Sequence, residues 1–245
     1  MKITDKITLT FEDRMKLLSR LADKSIHVAV LDPEYGINAT KMSMGSVPGY
    51  NSTATKIKGR LNSGGGKLKN RKLNQSLIEW DNDIPPKEFF DEIFRVSINQ
   101  IIFGGNYFPL PPTRGIGFWD KLQPWQNFSQ FEMIWTSFDC PAFKIECSSR
   151  GGANTEEKIH PTQKPVYVYK YLLNKFAKSG DMILDTGFGS ASIAIACHDM
   201  GLDLIACENK EIYYKPSIKR VQRHVAQLSL FEPKVLTTNQ LFPES

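Results

Sequence analysis

Short apolar runs alternate with amphipathic stretches along most of this chain. "IHVAVLD" (26–32) is nearly unbroken in its apolar character and predicts a strand buried on both sides. "NQIIFGGNYF" (99–108) predicts a second strand that ends in Gly-Gly, and "IGFWDK" (116–121), "MIWTSF" (133–138) and "AFKIECS" (142–148) predict further ones. "DMILD" (181–185) and "DLIACE" (203–208) complete the set. Between them lie helical periods. Residues 86–97 carry apolar side chains at 89, 90, 93, 94 and 96, with Pro86 at the start. Residues 164–177 carry them at 168, 169, 172, 173 and 176; 190–201 form a helix stopped by Gly201; 214–231 form a last one. A short amphipathic helix is expected over 11–23. Strands alternating with helices predict an α/β fold, a mostly parallel doubly wound sheet with helices on both faces. In such sheets ligands sit at the carboxyl ends of strands, and Asp32, Asp185 and Glu208 all fall there.

With 245 residues the chain accommodates one domain of this kind, spanning 1–245. It has no run of about 18 apolar residues, so no membrane span is expected. The N-terminus lacks the apolar core of a signal peptide, and a cytoplasmic protein is expected. None of the four cysteines (Cys140, Cys147, Cys197, Cys207) forms a C-x-x-C pair, which argues against zinc and for reduced thiols. The net charge of +5 is unevenly spread. From Asn38 to Ile78 there are eight Lys/Arg and no Asp/Glu: Lys41, Lys56, Lys58, Arg60, Lys67, Lys69, Arg71 and Lys72. This Gly/Ser/Asn/Lys-rich segment predicts a flexible basic insertion at about 38–78. It is either a solvated loop or the docking point of a polyanion.

Two stretches carry candidate chemistry. "VAVLDPEYGI" (28–37) runs from strand into Asp32, Pro33, Glu34 and Tyr35, so two carboxylates and a ring share one loop. "ILDTGFGSAS" (183–192) is strand, acid, Gly-x-Gly and helix start, and Glu208 ends the next strand 23 residues after Asp185. Glycines admit a ligand to the backbone, a helix start offers free N–H groups, and an acid on the next strand can grip ribose hydroxyls. That is the geometry of a nucleoside-bearing cofactor. A dinucleotide would favour Gly or Ala where Ser192 stands; S-adenosylmethionine needs no pyrophosphate cradle. "EKIHPTQKP" (157–165) precedes a helix and lies just upstream of the Gly-rich strand, where it could close over the same cofactor.

In the order "LDPEYG", "HPTQKP", "ILDTGFGSAS", the chain resembles the β-class amino-methyltransferases of DNA, which methylate exocyclic amines of adenine or cytosine. The string "HPTQKP" is highly specific to that group. "QIIFGGNYF-PLPPTRG", "WDK", "MIWTSFD" and "AQLSLF" extend the resemblance over most of 26–231, in the manner of compact phage and prophage enzymes. It implies a Rossmann-like S-adenosylmethionine-dependent fold acting on double-stranded DNA in the cytoplasm, often as a homodimer and often within restriction-modification. It also implies roles. Asp32 and the carbonyl of Pro33 accept the target amine's hydrogens, and Tyr35 stacks on the base. Asp185, Gly187 and Gly189 line the cofactor site, Glu208 binds the ribose, and His160, Thr162, Gln163 and Lys164 border the methionine end. Lys56, Lys58, Arg60, Lys67, Lys69, Arg71 and Lys72 are expected to meet DNA. Asp in the first catalytic position favours adenine N6, with cytosine N4 or a catalytically weak binding protein as alternatives.

Two departures stand out. Glu34 occupies the place of the family's third-position proline, and Ala191 stands where relatives commonly carry glycine. Lesser candidates are Trp119, Asp120 and Lys121 beside the site, and Asn106 and Tyr107 in a base pocket. His198 is expected to be structural, His224 exposed, and Trp135 and Phe138 core.

Overall fold

Eight strands form one sheet in the computed structural model, which describes residues 1–37, 83–122, 129–149, 158–160 and 162–227. The strands are β1 (Ile7–Phe11), β2 (Ile26–Leu31), β3 (Ser97–Phe103), β4 (Ile116–Asp120), β5 (Phe131–Thr136), β6 (Phe143–Glu146), β7 (Met182–Asp185) and β8 (Asp203–Glu208). The helices are α1 (Arg14–Ser19), α2 (Lys87–Val96), α3 (Val166–Phe176), α4 (Ser192–Met200) and α5 (Glu211–Val225). The spatial order is β1-β8-β7-β2-β3-β5-β4-β6. Only β5 runs against the rest, pairing antiparallel with both β3 and β4. The mixed α/β architecture expected from the apolar pattern is the one observed.

The unbroken apolar runs have a physical reason. Side chains alternate across a strand, so a strand covered on both faces is apolar at successive positions. In β2, Val28 and Val30 enter one core, with α3, α4 and α5; Ala29 and Leu31 enter the other, with α1 and α2. Burying each such Val or Leu contributes roughly 1.5–3 kcal/mol.

β1 was not expected from the sequence, and α1 starts three residues later than its periodicity suggested. "ITLTF" pairs in parallel with β8, the last strand, and Phe11 belongs to it. Asp13 then caps α1, its carboxylate accepting from the N–H of Met15 and Lys16. α5 begins at Glu211, ahead of the expected 214, so Pro216 stands inside the helix, in its second turn. No described helix is long and apolar enough to cross a membrane. All four cysteines are free.

β2 and β7 are neighbours, but the chain leaves them in opposite directions, β2 towards β3 and β7 towards β8. This is the switch point at which a doubly wound sheet opens a crevice. Asp32, one residue past β2, and Asp185, the last residue of β7, stand on its two sides.

Candidate active site

Asp32 leaves β2 into a network of charges. Its Oδ2 lies 2.5 Å from the Lys164 ammonium, and its Oδ1 accepts from the Tyr35 hydroxyl at 2.7 Å. The same two donors meet Glu132 of β5: Tyr35 Oη is 2.8 Å and Lys164 Nζ 2.7 Å from Glu132 Oε1. Lys121 closes the far side, 2.9 Å from Glu132 Oε2. The Lys164 side chain is 4% exposed, that of Glu132 11% and that of Asp32 21%, so the charges compensate one another largely out of water.

Burial pushes the Asp32 carboxyl above its ordinary value. Lys164 works against that rise and the Glu132 charge adds to it. Burial works to raise Glu132 as well, but Lys164 and Lys121 outweigh it and hold it well below the usual carboxylate range. Lys164 is depressed by burial and raised more strongly by its two carboxylates, so it keeps its proton. Burial, with Asp32 and Glu132, drives the Tyr35 phenol far above its ordinary value.

The Tyr35 ring stacks on Tyr107, with centroids 4.8 Å apart and planes 13° from parallel. Gly104 makes this packing feasible: its φ is +67°, and a Cβ there would stand 2.4 Å from the Tyr35 ring. Pro33 is half-buried, and Asn106 is exposed. Glu34, the departure at the third position, pairs with Arg14 of α1 at 2.7 Å, and Arg14 in turn lies over the Phe89 ring.

Across the switch point, the Gly-rich turn links β7 to α4. Asp185 is 2% exposed and accepts from the Gly187 N–H at 2.9 Å. Burial lifts its carboxyl to about 8; the Gly187 bond opposes this, while Asp32 and Glu208 add to it. Among the described residues nothing lies within 4 Å of where a Gly187 Cβ would be, which leaves room at the backbone. Glu208 is held by backbone donors, among them Gly189 N–H on Oε2 at 3.0 Å and Lys210 N–H on Oε1 at 2.8 Å. Burial raises its pKa and these bonds resist. Ala191 has φ +56° and is fully buried.

His160 faces this turn. A Cβ on Gly189 would lie 3.5 Å from its ring, and the ring meets Tyr213 edge-on at 4.1 Å. Burial, then the charge of Lys164, lowers its pKa to about 4, so the ring is neutral at neutral pH. Its Nδ1 accepts from the Thr162 N–H at 3.3 Å, and Thr162 itself is exposed. Gln163 is buried and accepts from Ile159 N–H. Lys164, expected beside the methionine end, directs its ammonium to Asp32 and Glu132. The turn is braced from behind by α5: Ser217 Oγ donates to Gly189 O at 2.5 Å, and Arg220 donates to Ser190 O at 2.7 Å and Ser192 Oγ at 3.1 Å.

Of the lesser candidates, Lys121 reaches the site through Glu132. Trp119 is core and donates to Cys147 O at 2.8 Å, and Asp120 pairs with Lys144. Trp135 is buried, and Phe138 stacks on Phe176 at 4.5 Å. His198 meets His224 edge-on, and His224 pairs with Asp199 at 2.6 Å. Lys41, Lys56, Lys58, Arg60, Lys67, Lys69, Arg71 and Lys72 lie outside the described residues. No group of acidic, His and Cys side chains among the described residues could hold a metal. Glu132, Ser217 and Arg220 were missed in the sequence. The one available signal for Glu132 was a lone acid inside the strand "FEMIWT".

An acid at the end of β7, a Gly-rich turn and an acid at the end of β8 define a sheet of the nucleoside-cofactor type, and Asp32 adds an acceptor across the crevice. The sequence signature of the DNA methylases of the N6/N4 type matches residues 67–220, and the chain belongs to that family. Its fold is similar to that of the PvuII DNA methyltransferase (cytosine-N4-specific), with a TM-score of 0.54, 12% identity, and coverage of 91% of this chain and 93% of that one. It is also similar to the M1.HpyAVI–SAM complex, with a TM-score of 0.52, 13% identity, and coverage of 87% and 98% respectively.

Proposed function

We propose that this DNA methylase transfers a methyl group from S-adenosylmethionine to the N6 amine of an adenine flipped out of double-stranded DNA. The observation that carries the reading is the placement of Asp32 and Asp185 at the ends of adjacent strands β2 and β7, on either side of the switch point. Cofactor and target base then meet over one crevice.

The residues fit the cofactor. Gly187 leaves the backbone open, Glu208 is held by backbone N–H groups as a ribose acceptor, and neutral His160 adds no positive charge beside a sulfonium. We assign the cofactor to Asp185, Gly187, Gly189, Glu208, His160, Thr162 and Gln163, and Lys164 to the acceptor pocket instead. Bound there, S-adenosylmethionine supplies an electrophilic methyl group on sulfur.

The target amine is a poor nucleophile because its lone pair is delocalised into the ring. Asp32 and the Pro33 carbonyl, accepting its two hydrogens, draw the nitrogen towards tetrahedral geometry. Asp32 also stabilises positive charge developing on nitrogen, an electrostatic effect fixed in advance by the fold. The base must leave the duplex to reach this depth. The stacked Tyr35–Tyr107 pair offers it an aromatic platform, Tyr107 being 39% exposed. The basic run from Lys56 to Lys72 supplies phosphate contacts. Aspartate at position 32 favours adenine by family association; cytosine N4 suits the same acceptors and is the second reading.

The test is methyl transfer from labelled cofactor to unmethylated DNA, read by nucleoside mass spectrometry, with Asp32→Asn as control. Asn keeps an oxygen beside Lys164, where Ala would leave a buried ammonium short of a partner. N6-methyladenine that falls about 100-fold or more in the control is the expected result. N4-methylcytosine would overturn the choice of base, and no product on any DNA would overturn the reading.

A further inference from the structure

We propose that Glu132 is a positioning residue for this reaction, one that takes over Lys164 and Tyr35 when Asp32 turns to the target amine. The proposal rests on the methyl-transfer reading above. It starts from a conflict in that reading. Asp32 is to accept from an amine, yet both of its oxygens already have donors, Tyr35 Oη at 2.7 Å and Lys164 Nζ at 2.5 Å. Freeing Asp32 in an ordinary site would strand a buried ammonium and a buried hydroxyl, and unpartnered buried donors are costly.

Here both donors are shared. Glu132 Oε1 stands 2.7 Å from Lys164 Nζ and 2.8 Å from Tyr35 Oη, so one oxygen is within reach of everything Asp32 would release. The count of protons makes the point sharper. Tyr35 has a single hydroxyl proton and two carboxylate oxygens at hydrogen-bond distance, so the proton can move between acceptors without the ring moving. The ammonium has three protons and needs only to redistribute them.

The fold holds Glu132 ready for this. The antiparallel register sets Trp119 opposite Glu132 and so brings Lys121, two residues further along β4's exit, onto Oε2. Lys121 also lies over the Trp119 ring at 5.2 Å. Glu132 is thus fixed by a partner that Asp32 does not share. The arrangement requires two acids for two donors, which accounts for a carboxylate near the start of a largely apolar strand.

The groups facing Asp32 are Tyr35 on its own loop, Lys164 before α3, Glu132 on β5, Asp185 on β7 and Tyr169 on α3. Of these, the Glu132 charge can be removed with little change of shape. In Glu132→Gln an amide oxygen stays within reach of Lys164 and Tyr35, but Asp32 becomes the one carboxylate paired with Lys164 among the described residues. We expect kcat to fall by about 10- to 100-fold while the cofactor KM stays within about twofold, since the loss is one of alignment and not of binding. We also expect the acidic limb of the kcat/KM profile to move to lower pH, because a negative neighbour of Asp32 is gone. An infrared titration of the carboxyl bands in cofactor-free protein reads the same shift without any activity, with Asp32→Asn assigning the band.

An Asp32 band that titrates alike in the wild type and in Glu132→Gln overturns the inference, whatever the activity. So does an unchanged kcat. A wild type inactive on all DNA overturns the methyl-transfer reading, and the positioning role with it, even where the infrared shift is present. Should Glu132→Gln fail to fold, Lys121→Met leaves Glu132 in the strand and removes its anchor. A lower kcat with unchanged cofactor KM is expected there, and an unaltered kcat counts against the proposal.

Discussion

Gly104 carries more of the site than its absence of a side chain suggests. Its φ of +67° is a conformation that costs an L side chain about 1–2 kcal/mol. An added methyl would also stand 2.4 Å from Tyr35 Cε1, within the ring that joins Asp32 to Glu132. Gly104→Ala should therefore lose roughly 2–5 kcal/mol, from strain plus overpacking, in urea unfolding at pH 7. Methyl transfer should fall with it, because Tyr35 must shift to make room. A loss under about 1 kcal/mol would mean that the ring yields freely and that its placement does not matter. Glu34 reads differently. Its pair with Arg14 leaves both side chains between a quarter and a third exposed, and such pairs contribute little. The sequence made both departures visible as letters, but only the fold gives their surroundings: Glu34 has a partner on α1, and Ala191 sits at φ +56° where a glycine would be unstrained.

At the scale of elements, most strands and helices were legible because burial on both faces writes itself as unbroken apolar runs. β1 was not. Its partner is β8, some two hundred residues away, and nothing local in "ITLTF" announces a pairing that distant. Glu132 was illegible for the same reason. Its neighbours Trp119 and Lys121 are assembled by the β4–β5 register, which only the folded sheet fixes. The brace from α5 is a third such case. Ser217 and Arg220 lie on a helix after the cofactor motif in the chain and reach back to the carbonyls of Gly189 and Ser190. A turn containing two residues at positive φ, Gly189 and Ala191, needs an external hold. Ser217→Ala leaves the Gly189 carbonyl without this donor, for an expected loss of about 1–2 kcal/mol in thermal unfolding. Cofactor affinity by calorimetry should weaken as well, because the turn that lines the cofactor loosens. Unchanged affinity alongside the stability loss would assign the hold to Arg220 alone.

For the whole molecule, the cofactor crevice sets a pH dependence of stability. Asp185 ionises at about 8 in the folded protein, against 3.8 for an ordinary aspartate. Its group is raised, so its contribution is complete below the ordinary value and is lost as pH rises to the folded one. Between those values the unfolded chain holds fewer protons, and stability falls with rising pH. His160 is displaced the other way, to about 4 from 6.5. Its group is depressed, so its contribution is present above 6.5 and is lost as pH falls towards 4. The two slopes oppose each other from about 4 to 6.5. Above that, of these two groups Asp185 alone still contributes a slope, at up to about 1.4 kcal/mol per pH unit. Asp185→Asn removes the titration and retains an oxygen for the Gly187 N–H. Its unfolding temperature, compared with wild type at pH 6.5, 7.2 and 8.0, should gain on wild type at each step, while its affinity for S-adenosylmethionine falls. The protein would then be holding a destabilising acid at the end of β7 because the cofactor uses it. Parallel melting curves across that range would remove both the perturbed carboxyl and this explanation for its place in the fold.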